Sequence, residues 1–188
     1  MNRAVILHGT GGSPQSNWLP WLKADLENRG YKVWVPELPN NQTPNRQVYN
    51  DFLFNSGWDF ADNLVVGHSS GAVSVLNLIE DQRCPPIKTG VLIGAWSGTK
   101  GTDLDKDQFS ALFPPEGFNF ELIKQKAAQL LFLHGDNDPL CPLEQAKWLA
   151  AQTASEIIIV PGASHFRRDD GFTELPQLTE ALEKRNLL

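Results

Sequence analysis

The sequence predicts an α/β fold in which six mostly parallel strands form one sheet with helices on both faces. Three observations carry that expectation. Short apolar runs of strand length alternate with segments whose apolar residues recur at helical spacing. The short runs are apolar at nearly every position, as strands covered on both faces must be. Gly, Pro and Asn punctuate the junctions.

Ala4-Val5-Ile6-Leu7 reads as a doubly covered strand, and His8-Gly9-Thr10-Gly11-Gly12-Ser13 as a permissive turn after it. Trp18, Leu19, Trp21, Leu22 and Leu26 mark an amphipathic helix that stops at Arg29-Gly30. Tyr31 to Val35 is the next strand, closed by Pro36, and Gln47 to Asn55 a helix. Leu64-Val65-Val66 is a strand, and Ala72, Val73, Val75, Leu76, Leu78 and Ile79 give the helix behind it. Cys84-Pro85-Pro86 breaks the pattern before the strand Gly90 to Ala95. Trp96 to Phe120 is the longest irregular stretch, and its aromatic residues mark a small cap over a site. Of these, Trp96, Phe109 and Phe113 are the candidate pocket residues. A helix over Glu121 to Ala128, a strand over Leu130 to Leu133, a helix over Leu143 to Ala151, a strand over Glu156 to Val160 and a helix over Leu175 to Lys184 complete the chain. Right-handed crossovers then put every strand's carboxyl end on one edge, where open α/β sheets bind ligands.

The 188 residues fit one domain, 1–188, with a single sizeable core. A net charge of -6 with no basic face makes nucleic acid and anionic membrane surfaces poor partners, and favours small, neutral or weakly charged ligands. Cys84 and Cys141 have no metal or disulfide spacing and read as free thiols, so no metal and no cofactor is expected. Only four apolar residues separate Met1-Asn2-Arg3 from His8, too few for a signal peptide, and no apolar run would span a bilayer. A cytoplasmic protein is the expectation.

Gly67, Ser69 and Gly71 match G-x-S-x-G at a strand-to-helix joint, the pattern of a nucleophile elbow. The sharp turn lifts a serine hydroxyl above the sheet edge, and a Cβ at either flanking position would clash. Three fixed positions alone are a weak signal; the strand before and the helix after make it stronger. The competing reading is that Ser69 or Ser70 caps the helix's first turn.

A serine hydroxyl attacks well at neutral pH only if a base takes its proton and a third group holds that base. The four histidines are His8, His68, His134 and His165. In the order serine, acid, histidine that accompanies such an elbow, His165 alone follows both Ser69 and a strand-end acid. Asp136 and Asp138 are both available after the strand Leu130 to Leu133. Asp138 is preferred because, further from the strand, its loop can turn the carboxylate back toward the histidine. Asp169 and Asp170 qualify only if the order is broken. His8 and His134 precede glycines at strand ends and read as hydrogen-bonded loop supports. Oxyanion donors are expected from the backbone N–H of Ser70 and, from the first loop, of Thr10. The glycine turn lacks Gly-Lys-Ser/Thr and G-x-G-x-x-G, which argues against a nucleotide site.

His8-Gly9 with Gly11-Gly12, the elbow, the run His134-Gly135-Asp136-Asn137-Asp138-Pro139-Leu140-Cys141-Pro142 and Gly162-Ala163-Ser164-His165-Phe166 together resemble an α/β-hydrolase. Trp18-Leu19-Pro20-Trp21-Leu22 and Gly171-Phe172 resemble, more narrowly, the small serine hydrolases of the retinoblastoma-binding-protein-nine and YdeN-like group. The resemblance implies a reduced hydrolase sheet, a Ser69, Asp138 and His165 triad, and esterase-type activity. The oxyanion loop varies within the group, so Thr10 is carried less firmly than Ser70. The expected function is cleavage of small acyl esters through an acyl-enzyme. The alternative is a catalytically silent hydrolase fold whose aromatic cap binds a protein partner.

Overall fold

A computed structural model describes residues 1–188, and the arrangement is built around its first strand. Strand β1 (Arg3–Leu7) pairs with β2 (Lys32–Trp34) on one side and β3 (Leu64–His68) on the other. Beyond β3 lie β4 (Ile87–Ile93), β5 (Ala127–Gly135) and β6 (Glu156–Val160). All five pairings are parallel. The sheet order β2-β1-β3-β4-β5-β6 reverses at β1. The crevice between the carboxyl ends of β1 and β3 is therefore the switch point where such sheets bind ligands.

Seven helices cover the sheet: α1 (Leu19–Asn28), α2 (Arg46–Asn55), α3 (Ser70–Glu80), α4 (Lys106–Phe109), α5 (Phe120–Lys126), α6 (Leu143–Gln152) and α7 (Pro176–Lys184). Strand periodicity sorts the core into two layers. Val5, Leu7 and Val65 pack with Leu53 of α2, Leu76 of α3 and Leu149 of α6. Ala4, Ile6, Leu64 and Val66 point the other way, onto Leu19, Leu22 and Leu26 of α1 and Leu178 and Leu182 of α7. Each such leucine, wholly withdrawn from water, contributes about 1.5–3 kcal/mol. Helix α3 is buried at every position from Ser70 to Ile79, because Trp96, Phe109 and Leu112 cover the side that carries Val73. No helix is long and apolar enough to cross a membrane.

The elements appear in the expected order, and tertiary pairing moves some boundaries. The expected helix to Ala128 ends at Lys126, and β5 starts three residues before Leu130, because Ala127 pairs with Ile87 and Gln129 with Thr89. Sheet pairing overrides local helix preference there. The glycine stop after α1 forms as expected. Gly30 has φ 84°, its N–H donates to Glu27 O, and the Tyr31 N–H donates to Leu26 O. The Trp96 to Phe120 stretch is not wholly irregular, since it contains α4 and a 3-10 turn over Ser110–Leu112.

Candidate active site

Ser69 has φ 57° and ψ -124°, a conformation that costs a residue with a Cβ about 1–3 kcal/mol. The flanking glycines are dictated by contact. A Cβ on Gly67 would lie 2.2 Å from Gly71 O, and one on Gly71 would lie 2.3 Å from Leu7 O. Backbone atoms of β1 and α3 thus clamp the turn. The Ser69 side chain makes no capping hydrogen bond to α3, and Ser70 Oγ accepts from Thr10 Oγ1–H and not from a helix N–H, which sets aside the capping alternative. Its residue instead lines a cavity of about 300 Å³ at the switch point.

Asp138 and His165 reach the same place from the loops after β5 and β6. His165 Nδ1–H donates to Asp138 Oδ2 at 2.7 Å. Asp138 Oδ1 accepts the backbone N–H groups of Leu140 and Cys141, each at 2.9 Å. The carboxylate has no exposed surface. Burial alone would raise its pKa, but the bond from His165 and the two backbone donors outweigh burial and hold the carboxyl below its ordinary range. The charged carboxylate fixes His165 with its proton on Nδ1, which leaves Nε2 as an acceptor. His165 also lines the cavity.

Bare glycines let His165 arrive there. A Cβ on Gly135 would lie 2.2 Å from Ala163 O, so the loop after β6 crosses directly over the end of β5. Asn137 N–H donates to Ala163 O at 3.0 Å, and Gly162 N–H donates to Asp136 Oδ1 at 2.7 Å. Asp136, the other acid considered, is thereby tied to loop backbone and not to the histidine. Gly94, after β4, leaves room for the imidazole; a Cβ there would lie 3.0 Å from His165 Cε1. Asp170 is bonded to Arg167, while Asp169 lines the cavity.

His8 and His134 are loop supports. His8 Nδ1–H donates to Gly9 O at 2.9 Å while Nε2 accepts Leu38 N–H at 3.0 Å, and His134 Nε2–H donates to Cys141 O at 2.8 Å. Burial pushes both imidazoles down. Sequence reasoning gave His68 no role, yet it is the support of His165. Its Nε2–H donates to His165 O at 2.8 Å, and its Nδ1 accepts from Asn17 Nδ2 at 3.4 Å. Burial, reinforced by His165, pushes it down to about 3, so the ring stays neutral. The available signal was its position at a strand end beside the elbow serine. Nothing in the sequence marks Asn17.

Beside Ser69, Thr10 Oγ1–H donates to Ser70 Oγ at 2.9 Å and ties the first loop to α3. The Thr10 N–H has no backbone acceptor, and Ser70, the first residue of α3, has no intrahelical one. Of the three cap aromatics, Trp96 and Phe109 line the cavity. Phe113 does not; it packs edge-on against Trp96 at 5.6 Å and supports that ring from outside the cavity. Asp138, Cys141 and His165 hold potential ligand atoms within 4.8 Å of one another. That donor set is occupied by the hydrogen bonds above, and burial raises the Cys141 thiol well above its ordinary value.

An elbow serine at the switch point of a parallel sheet, with an acid and a histidine on the loops after β5 and β6, defines an α/β-hydrolase. The chain belongs to the serine hydrolase family, whose model it matches over residues 4–184, and it is a hydrolase on that ground. It is 26% identical over 182 residues to YdeN of Bacillus subtilis (strain 168), covering 96% of this chain and 94% of the relative. To the serine hydrolase RBBP9 of Rattus norvegicus it is 20% identical over 183 residues, covering 96% and 95%. The crystal structure of the B. subtilis ydeN gene product has the same fold, with a TM-score of 0.88 at 23% identity over 98% of each chain. Est1E from Butyrivibrio proteoclasticus shares it with a TM-score of 0.71 at 17% identity, over 99% of this chain and 87% of that one.

Proposed function

We propose that the protein is a carboxylesterase-like hydrolase that cleaves small esters through an acyl-enzyme on Ser69. The observation that carries this reading is the buried Asp138–His165 bond of 2.7 Å beside an uncapped serine lining the same cavity. His165 Nε2 takes the Ser69 proton as Oγ attacks the ester carbonyl, and Asp138 stabilises the resulting imidazolium. The N–H groups of Ser70 and Thr10 receive the developing oxyanion, each donor contributing about 3–4 kcal/mol where such groups have been removed. Collapse expels the alcohol with the proton from His165. Water, deprotonated by the same nitrogen, then releases the acid. A cavity of about 300 Å³, at the small end for ligand sites, suits modest acyl groups.

The test is labelling of the folded protein with a fluorophosphonate probe, with the adduct located by mass spectrometry. Modification of Ser69 that His165→Ala abolishes supports an activated serine. A folded protein that takes no label on Ser69 overturns the reading and leaves the binding-module alternative.

A further inference from the structure

The rim of the cavity carries a charge that ester cleavage itself does not need. Directly after His165 the chain turns sharply: Phe166 has φ 55°, and its fully buried ring packs on Phe172 at 5.0 Å. This turn sets Arg167 and Arg168 on the cavity wall. The two differ in what holds them. Arg167 binds Asp170 through Nε at 3.2 Å and Nη2 at 3.4 Å. Arg168 makes no ion pair, although its backbone N–H is fixed by Asn17 Oδ1 at 2.9 Å. Five of the seven arginines are ion-paired, and the other unpaired one, Arg46, lies away from this cavity.

Arg168 is exposed and its side chain is unpaired, while its backbone is held at the mouth of the site by Asn17, so its guanidinium is available for an anionic group of the ligand. The amino terminus of α3 adds positive potential at the cavity floor. Asp169, also on the wall and in the field of Arg167, is the opposing charge. We propose that Arg168 is a specificity-determining residue that selects esters whose acyl chain ends in a carboxylate, the monoesters of dicarboxylic acids. This rests on the hydrolase reading above. It also refines the sequence expectation of neutral or weakly charged ligands, because net charge describes the whole surface and Arg168 only this rim.

The test compares kcat/KM for three 4-nitrophenyl esters of matched length: the hemiadipate, the hexanoate and the 6-aminohexanoate. The wild-type protein is expected to favour the hemiadipate over the 6-aminohexanoate by roughly tenfold or more, mostly through KM. Arg168→Gln should lower that ratio roughly tenfold, Asp169→Asn should raise it, and 0.5 M salt should compress it. Equal or reversed selectivity in the wild type, or a ratio untouched by Arg168→Gln, overturns the assignment while leaving ester cleavage intact. If none of the esters is cleaved, the hydrolase reading is what has failed, and calorimetric titration of Ser69→Ala with adipate tests the cation alone. Binding that Arg168→Gln removes supports it, and no binding, or binding that survives, overturns it.

Discussion

His68 Nε2–H donates to the backbone carbonyl of His165 at 2.8 Å, so the residue before the elbow serine holds the loop that carries its proposed base. Serine and histidine are thereby joined through a structure that is independent of substrate. His68→Ala should lower kcat roughly tenfold or more through misplacement of His165, and His68→Gln, which keeps a donor, should recover part of it. Equal kcat in both variants and wild type would remove His68 from this role.

The two candidate acids separate by substitution. Asp138→Asn is expected to reduce kcat/KM for a small aryl ester by about 10³–10⁴-fold, since the amide cannot stabilise the imidazolium and favours the wrong tautomer. Asp136→Asn, which keeps an oxygen for the Gly162 N–H, should change it less than about threefold. Similar losses in both would contradict the assignment.

Stability should fall in acid well before the carboxylates titrate. Burial lowers His8, His68 and His134 from the ordinary 6.5, His68 to about 3. Unfolded imidazoles therefore take up protons below pH 6.5 that the folded rings refuse. Stability is complete above pH 6.5 and is lost as pH falls toward 3, at up to about 1.4 kcal/mol per pH unit for His68 alone. Asp138, whose carboxyl is held low, acts in the same direction further down: its contribution is present above its unfolded value and lost as pH falls through the folded one. Urea unfolding at pH 7, 5.5 and 4.5 measures the slope, and a flat profile would contradict it.

The glycines of the elbow are not interchangeable with those of exposed turns. Gly71→Ala places a Cβ 2.3 Å from Leu7 O and should cost more than about 3 kcal/mol or prevent folding. Gly57→Ala, with φ 77° but nothing within 4 Å, should cost only about 1–2 kcal/mol. Thermal melts of the pair separate steric from conformational cost.

How far the sequence reaches can be read from individual residues. Val5 and Ile6 announce a strand because sheet burial leaves an alternation-free apolar run, and Gly30 announces a stop because it permits φ 84°. Ser69, Asp138 and His165 are legible because strand ends and chain order restrict the choice. The start of β5 is not, because Ala127 and Gln129 are strand only by virtue of Ile87 and Thr89 beside them. His8 and His134 are legible as loop supports from their glycines at strand ends, but the long-range partners that complete the site are invisible for the same reason as the start of β5. Asn17 meets His68 across 51 residues, and Gln145 Oε1 accepts Ser97 N–H at 2.9 Å across 48; neither pairing has a local signature. Phe109 and Phe113 both pack edge-on against Trp96, and nothing local in the sequence says that only Phe109 lines the cavity.

The three groups of the site follow three separate strands, β3, β5 and β6, and β6 pairs only with β5 at the sheet's far edge. During refolding, Trp34 and Trp58, stacked at 5.5 Å within the amino-terminal part of the chain, can pack and change the tryptophan signal before β6 joins. His165 cannot meet Asp138 until it does. Recovery of probe labelling should therefore lag the tryptophan fluorescence change, and the difference between the two rates would time the docking of the last strand.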